Sequence, residues 1–500
     1  MVVCLFMLIS FASCSKNGED MGANMIGDME MGVANDAIGL IPPGSTISDE
    51  DYGKFIENEF VNTSDEPIST FSADVDTASY AYFRKLVSQG YSESELIATA
   101  GNSIRTEEMI NYFDYSYNEP SESELFGKSV RIADCPWNND AKLMILGLKA
   151  KDAAVKSDNN LVFLIDVSGS MSSSDKLPLL KKSFGYLVDR LDEGDRVSIV
   201  TYSGKEKVVL EGCAGNKREK IMNAINSLEA EGSTNGKAGL QKAYALAEEY
   251  YISGGNNRII MASDGDLNVG ISTPEELKDY VSQKRDEGVY LSVLGFGTGN
   301  YKDASMEAIA DNGNGVYYYI DSETEAERIF GKALFSTLYT VAENVKLQLR
   351  FNAESVESYR LVGYENRLLN NEDFENDAKD AGEVGAGHSV TVCYELILKE
   401  EYAKDAEFAE LAVRYVRPGE EKSTEELYSI ETSSLVDSPD DEFEFICAVV
   451  ETSMILHQSR YAEDVRFSDI YAKLMTLDLG GDEYKEQFAE LIAKLCNENK

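Results

Sequence analysis

Histidine and cysteine are scarce in this chain of 500 residues. Its two histidines, His388 and His457, poorly supply a histidine-based metal site or a Ser-His-Asp triad. Its seven cysteines are scattered, and their spacing matches neither a zinc site nor a disulfide framework. The composition therefore argues against zinc chemistry and against triad hydrolysis.

Basic residues are also in short supply, with 46 Lys and Arg against 89 Asp and Glu, a net charge of −43. Such a surface repels phosphate backbones, which argues against nucleic acid as a partner. It favours divalent cations and basic partners, although acidity also serves solubility alone. Hydrophobic residues make up 43%, enough for real cores, and the length predicts two or three domains.

The N-terminus lacks an apolar run long enough to span a bilayer, which takes about 20 residues. Residues 2–13 (VVCLFMLISFAS) instead suit the core of a signal peptide. Small residues precede Cys14, which resembles the cleavage box of bacterial lipoproteins, although Phe11 stands where Leu is usual and no Lys or Arg precedes the run. The resemblance implies removal of residues 1–13 and lipidation of Cys14; a secreted protein with a coincidental cysteine is the alternative. Residues 14–60, rich in Gly, Met, Asn and acids, predict a flexible tether.

Strands and helices alternate from Asn159 to about Tyr339. The predicted strands are Asn160–Asp166, Arg196–Tyr202, Lys207–Glu211, Arg258–Ala262, Tyr290–Phe296 and Gly315–Ile320. Amphipathic stretches lie between them, the last being Glu323–Tyr339. This alternation predicts an α/β domain with a doubly wound, mostly parallel sheet, which binds ligands where strand ends meet helix starts.

Further strands flank this segment on both sides, at 128–150 and at 345–416. Neither set is large enough for a sandwich of its own. We therefore expect them to pair into one discontinuous β-sandwich-like domain with the α/β domain inserted in it. Helical segments precede and follow the strands, and Asn366–Gly387 is predicted to be a long loop. The predicted domains are 61–155, 156–342 and 343–500.

Oxygen-bearing side chains follow the predicted strand ends. Asp166, Ser168 and Ser170 come after the first strand, and a carboxylate with two hydroxyls at this spacing can surround one small hard cation. Thr234 precedes a helix, and Asp264 follows another strand. Alone, Asp-x-Ser-x-Ser also describes an ordinary strand-to-helix turn. In order and spacing, however, the five residues resemble the metal-ion-dependent adhesion site of von Willebrand factor type A (VWA) domains.

Other acidic positions have competing interpretations. Asp264, Asp266, Asn268 and Glu275 fit part of an EF-hand loop, but Val269 occupies the position that needs glycine. Asp74 and Asp76 could suggest a phosphatase-type pair, yet no apolar strand leads into them, and a turn with a helix cap explains them better. We interpret Glu107 and Glu108 as a solvent-exposed helix face.

The resemblance extends beyond the metal site to a family of bacterial VWA lipoproteins. It rests on STFSADVDTASY (69–80), RTEEMINYFDY (105–115), CPWN (135–138), LVGYENR (361–367), NEDF (371–374) and DAGEVGAGH (380–388). It implies a Rossmann-like VWA core with Mg²⁺ as the usual ion, Ca²⁺ and Mn²⁺ being chemically possible, and it implies no catalytic residues.

Three functions remain open. The first is a lipid-anchored, extracytoplasmic binding module on the cell membrane or outer membrane, whose metal captures a carboxylate of a protein partner. The second is an assembly or chaperone-adaptor component of an envelope complex. The third, a metal-dependent hydrolase, lacks a credible base, nucleophile or second metal near the site. We therefore expect a binding protein and not an enzyme.

Overall fold

The computed structural model describes residues 55–152, 157–232, 237–265, 274–297, 303–333, 336, 338–420 and 422–497. Cys14, Thr234 and the predicted signal peptide lie outside these ranges, as do Asp266 and Asn268 of the EF-hand alternative. Within the ranges, no helix combines the length and the apolar character needed to cross a membrane.

The N-terminal part contributes a long hairpin and a group of helices. Its strands are β1 (Val61–Asn62), β2 (Ile68–Ser72), β3 (Phe126–Cys135) and β4 (Asn138–Ala150). Its helices are α1 (Ala78–Ser88), α2 (Glu93–Ala100) and α3 (Thr106–Asn111). Strands β3 and β4 pair antiparallel along most of their length, so the hairpin fills the segment 128–150 in which strands were predicted and begins two residues earlier.

The central part alternates strands and helices as predicted. Its strands are β5 (Asn159–Asp166), β6 (Arg196–Tyr202), β7 (Lys207–Ala214), β8 (Asn256–Ser263), β9 (Tyr290–Phe296) and β10 (Tyr317–Ile320). Its helices are α4 (Leu177–Val188), α5 (Arg218–Asn226), α6 (Lys237–Glu249), α7 (Pro274–Asp286), α8 (Asp303–Asn312) and α9 (Glu323–Arg328). The predicted helix Glu323–Tyr339 begins at Glu323 as expected, but α9 passes into a π-helical turn at Ile329–Ala333; residues 336 and 338 are helical again.

These strands form one sheet in the order β10-β9-β8-β5-β6-β7. All neighbours run parallel except β7, which is antiparallel to β6. Alternate residues of β5 enter different cores: Val162 and Leu164 enter one, whereas Phe163 and Ile165 enter the other. A strand with both faces buried has a continuous run of apolar residues, and this run is why β5 could be predicted from the sequence. The chain crosses from one side of β5 to the other here, and ligands bind at such switch points.

The C-terminal part supplies strands first and helices last. Its strands are β11 (Thr340–Phe351), β12 (Val356–Val362), β13 (Gly382–Gly385), β14 (Ser389–Leu398), β15 (Glu407–Val416) and β16 (Ser423–Glu431). Its helices are α10 (Asp441–His457), α11 (Phe467–Leu474) and α12 (Glu483–Asn497). Strand β13 corrects the expectation of a strandless loop over 366–387, because its short run pairs with β11.

The strands on either side of the central part share sheets. Strand β4 pairs antiparallel with β14, with Leu143 opposite Glu395, which confirms the predicted pairing of the two sets. One sheet has the order β1-β12-β14-β4-β3; the other has β13-β11-β15-β16, with β2 added to β11. Side chains of both sheets, including Leu146 and Leu347, fill one core. The α/β domain is therefore inserted between β4 and β11 of a discontinuous sandwich.

The terminal helices pack on one another across the length of the chain. Phe113, just after α3, meets Phe445 of α10 and Phe488 of α12, with ring centroids 4.9 and 5.8 Å apart. These aromatic side chains belong to a buried cluster that continues into one face of the α/β sheet. The ends of the chain thus form a helical layer that also supports the inserted domain.

Candidate metal centre

The first loop of the candidate site leaves the carboxyl end of β5, near the middle of the α/β sheet. Asp166 is fully buried and Ser168 is buried, whereas Ser170 is exposed. Strand β8 runs beside β5, with Ile165 opposite Ala262, so the two strands end side by side. This parallel pairing brings the first loop and the loop after β8 to one edge of the sheet.

The side chain of Asp166 organises the first loop. Its Oδ1 accepts a hydrogen bond of 2.7 Å from the Ser168 amide, the usual way an Asp side chain closes a turn two residues on. The hydroxyls of Ser168 and Ser170 are hydrogen-bonded to each other, with their oxygens 2.9 Å apart. Neighbouring ligands of octahedral Mg²⁺, each about 2.1 Å from the ion, are also about 2.9 Å apart. The hydroxyl pair therefore already has the spacing of two adjacent Mg²⁺ ligands.

The loop after β8 contributes Asp264, whose side chain is buried. Its Oδ2 accepts a hydrogen bond of 2.8 Å from the Lys176 ammonium. The same ammonium donates to the Ser170 carbonyl oxygen over 3.0 Å, so Lys176 links the two loops. Asp264 Oδ1 is buried and has no hydrogen-bond partner among the residues of the described ranges. A buried carboxylate oxygen without a partner is costly, and a metal ion removes that cost.

The loop before α6 reaches the same place through its backbone. Gly232 accepts a hydrogen bond of 3.0 Å from the Gly169 amide, and the Glu231 amide donates to the Val167 carbonyl over 2.7 Å. Thr234 lies two residues beyond Gly232 and outside the described residues. Its assignment as the third hydroxyl ligand remains a prediction.

Tyr202, at the end of β6, closes the inner side of the site. Burial first, and next the charge of Asp166, raise the pKa of Tyr202 well above its ordinary value. The phenol therefore stays neutral at physiological pH. Its backbone carbonyl accepts a hydrogen bond of 3.0 Å from the Val167 amide, which fixes the first loop against β6.

The donors at this site suit a hard divalent cation. Asp166 and Asp264 offer carboxylate oxygens, and Ser168 and Ser170 offer hydroxyl oxygens, which Mg²⁺, Ca²⁺ and Mn²⁺ accept. Within the described residues, no three His, Cys, Asp or Glu side chains are grouped so that they could hold a metal. The site therefore depends on hydroxyls as well as carboxylates, and the buried, unpartnered oxygen of Asp264 fits the ion.

Lys176 is the one contributor that the sequence analysis missed. It directly precedes α4 and reaches Asp264, 88 residues further along the chain. Its position could have suggested a role at the site, because Lys176 follows Ser170 by six residues on a loop already assigned to the site.

The remaining acidic candidates have structural partners. The Asp76 amide donates to Asp74 Oδ1 over 2.9 Å, which confirms a turn, and Arg367 forms ion pairs with both carboxylates. The expectation that Glu107 and Glu108 face solvent is wrong, because both are buried.

Glu107 and Glu108 each accept hydrogen bonds from residues outside their own helix, α3. Glu108 Oε2 accepts from the amide and hydroxyl of Ser79, at 2.9 and 2.8 Å. Glu107 accepts from the Tyr364 amide at 2.8 Å. Burial, and then the nearby Glu365, raise the pKa of Glu107 to about 8.

The fold agrees with comparisons to known proteins. Residues 160–332 match the family described as von Willebrand factor type A domain, and residues 46–145 match one described as von Willebrand factor. Residues 336–497 match the family described as Uncharacterized protein YfbK, C-terminal. VWA domains are protein-interaction modules that often carry a metal-ion-dependent adhesion site.

Individual relatives extend the same picture. The chain is 37% identical over 472 residues to the Uncharacterized protein YfbK of Escherichia coli K12, covering 88% of this chain and 80% of that one. It is 28% identical to human inter-alpha-trypsin inhibitor heavy chain H3 over 48% of this chain and 29% of that protein. A solved von Willebrand factor type A structure from Catenulispora acidiphila aligns with a TM-score of 0.41 at 15% identity, over 77% of this chain and 89% of that one. The chain belongs to the YfbK family of bacterial proteins with a VWA domain.

Proposed function

We propose that this protein is a membrane-anchored, extracytoplasmic binding module whose metal ion captures an acidic group of a partner protein. The ion, Mg²⁺ in the first instance, is held by Asp166, Ser168, Ser170, Thr234 and Asp264. The observation that carries the proposal is the buried Oδ1 of Asp264, which has no hydrogen-bond partner among the described residues, on a loop that Lys176 joins to the loop of the two serine hydroxyls.

The chemistry of this site favours binding over catalysis. Two carboxylates and three hydroxyls leave the ion with little ligand charge and at least one position for an outside ligand. The bound ion supplies an electrophilic centre that a carboxylate oxygen can complete. Ser170 lies at the exposed side of the site and Asp166 at its buried side. A partner's carboxylate would therefore approach the ion from the side of Ser170.

The partner is expected to combine a basic surface with one accessible Asp or Glu. A net charge of −43 repels acidic proteins at long range and attracts basic ones. The carboxylate then gives the final, metal-dependent contact. Metal removal should therefore release the partner, whereas salt should mainly slow its association.

Calorimetric titration of Mg²⁺ into the full-length chain tests the site. Asp166→Asn keeps an oxygen that can accept from the Ser168 amide but removes the charge, so we expect affinity to fall by about 100-fold or more. Asp189→Asn, an exposed aspartate at the end of α4, makes the same change of charge and should bind as wild type does. Equal affinity of Asp166→Asn and wild type would place the metal elsewhere.

Thr234 is tested in the same titration. Thr234→Ala should weaken Mg²⁺ binding by about tenfold, because it deletes one ligand hydroxyl. Ser233→Ala, the neighbouring hydroxyl, is the matched control and should leave affinity unchanged. The reverse result would assign the loop's ligand to Ser233.

Membrane anchoring is tested at Cys14. Cys14→Ala should move the protein into the soluble fraction and abolish labelling by an alkyne fatty acid, because lipidation of this residue is the proposed attachment. Cys4→Ala, within the same apolar stretch, should stay membrane-bound and labelled. Unchanged membrane partition of Cys14→Ala would contradict the anchor.

A further inference from the structure

Lys176 occupies the centre of the candidate site without being one of its proposed ligands. Its ammonium lies 2.8 Å from Asp264 Oδ2 and 3.0 Å from the Ser170 carbonyl oxygen. The side chain of Lys176 is 13% exposed and that of Asp264 is 3% exposed. This buried ion pair therefore joins two of the loops that would hold the metal.

The fold makes room for this lysine. Gly297, just after β9, has a φ of +89°, and a Cβ added there would overlap the methylene chain of Lys176. The Gly297 carbonyl accepts a hydrogen bond from the Tyr319 hydroxyl, which holds the glycine in place. The absence of a side chain at Gly297 leaves space for the methylenes of Lys176 on their way to Asp264.

A single positive charge so close to Asp264 conflicts with a divalent cation. The ammonium already neutralises the carboxylate that the metal needs, and it repels any cation that approaches while it remains. The ammonium holds Asp264 Oδ2 and the metal would take Oδ1, so the two cations would compete by charge repulsion across one carboxylate and not for a single oxygen atom. The two cations are therefore alternative partners of one carboxylate.

We propose that Lys176 is the internal occupant of the metal centre, and that metal binding is an exchange in which a divalent cation displaces its ammonium from Asp264. This inference rests on the metal site of the proposed function and adds a control to it. The lysine keeps the metal-free site neutralised and folded. It also raises the divalent concentration at which the site becomes able to capture a partner, since only the fraction without the lysine binds metal.

The first test is Mg²⁺ titration of full-length Lys176→Met, which keeps a similar side-chain length without the charge. We expect its Mg²⁺ affinity to exceed that of wild type by about tenfold. This is the gain expected if the Lys176 ammonium pairs with Asp264 in about nine-tenths of the metal-free molecules. Lys182→Met, in α4 and exposed, removes the same charge away from the site and should match wild type. Lys176→Arg keeps the charge and should bind no more tightly than wild type.

The second test follows the lysine itself. Acetylation of wild-type protein by an amine-reactive ester, read by mass spectrometry, should be slow at Lys176 in EDTA and several-fold faster in saturating Mg²⁺ as the ammonium is displaced. The rate at Lys182 should not change. An unchanged or slower rate at Lys176 in Mg²⁺ would overturn the exchange.

The outcomes separate the two proposals. If wild type and Lys176→Met bind Mg²⁺ equally, and Asp166→Asn does not bind, the metal site stands and the exchange is wrong. If Lys176→Met binds at least several-fold more tightly than wild type, the exchange is supported. If no variant binds Mg²⁺, Ca²⁺ or Mn²⁺, both proposals fall.

Discussion

The metal loops and the contact between α9 and the N-terminal helices both bury charged side chains, but their charges balance differently. At α9, Arg84 pairs with Asp321 at 2.5 Å and with Glu325 at 2.9 Å, and Arg328 pairs with Glu325 at 2.7 Å. Two cations thus face two carboxylates. At the metal loops, Lys176 is the one cation in the described residues that pairs with Asp264, while Asp166 adds a second carboxylate.

The difference separates a structural ion network from a binding site. The α9 network is closed, because the Tyr112 hydroxyl also donates to Glu325 at 2.6 Å and Thr77 accepts from Arg328 at 2.9 Å. The metal loops keep a buried carboxylate oxygen that has no hydrogen-bond partner in the described part of the chain, and an exposed serine, Ser170. A closed network stabilises one packing of the chain, whereas an incomplete one invites a ligand.

The largest effect is expected where the closed network is broken. Glu325→Gln leaves Arg84 and Arg328 with half their compensating charge in a buried place, so the free energy of unfolding should fall by about 3–5 kcal/mol. Glu323→Gln, in the same helix, breaks only the exposed pair with Lys182 and should cost less than about 1 kcal/mol. Urea denaturation measures both, and Mg²⁺ should change neither value. Equal losses would mean that the α9 network contributes no more than a surface pair.

An intermediate, metal-dependent effect is expected at the incomplete site. In EDTA, Lys176→Met removes the cation that Asp264 uses and should lower the free energy of unfolding by about 1–3 kcal/mol. In saturating Mg²⁺ the ion replaces that charge, so the variant should become at least as stable as wild type. Thermal melts in EDTA and in Mg²⁺ give the comparison. A loss that is the same in both conditions would make Lys176 a structural residue like Arg84.

A third effect, which depends on pH, is expected at Glu107, a buried carboxyl that belongs to neither group. Its folded pKa of about 8 lies above the ordinary value of 4.5, so the stability linked to its proton is present at low pH and is lost as pH rises towards 8. Glu107→Gln cannot ionise and still accepts from the Tyr364 amide. The variant should match wild type near about pH 5 and become the more stable of the two as pH rises towards about 9, because only wild type ionises a buried carboxyl. A difference that is constant with pH would contradict the raised pKa.

Much of the architecture could be predicted from sequence because its signals are local. The apolar run of β5 ending in Asp166 predicts a buried parallel strand with a carboxylate at its carboxyl end. The pairing of β4 with β14 followed from a different argument, namely that neither flanking set of strands could bury its own face. The first feature depends on a pattern along a single strand, and the second on the need of each strand set to cover its apolar face.

What the sequence could not supply depends on contacts between distant residues. Glu107 and Glu108 look like a surface pair, since their partners Ser79 and Tyr364 come from another helix and from a segment beyond the inserted domain. Lys176 looks like an ordinary residue at a helix start until β8 brings Asp264 beside it. Charge alone therefore does not reveal burial, and a site's counter-ion emerges only when the loops are brought together.

The most direct test of the central claim is a crystal of the full-length chain equilibrated with Mn²⁺ and measured at the manganese absorption edge. The account predicts an anomalous peak bridging the hydroxyls of Ser168 and Ser170, with Asp166 and Asp264 in its coordination sphere and the Lys176 ammonium moved away from Asp264. A fully occupied Mn²⁺ site elsewhere, with the Lys176–Asp264 pair intact and no peak at the two serines, would contradict it.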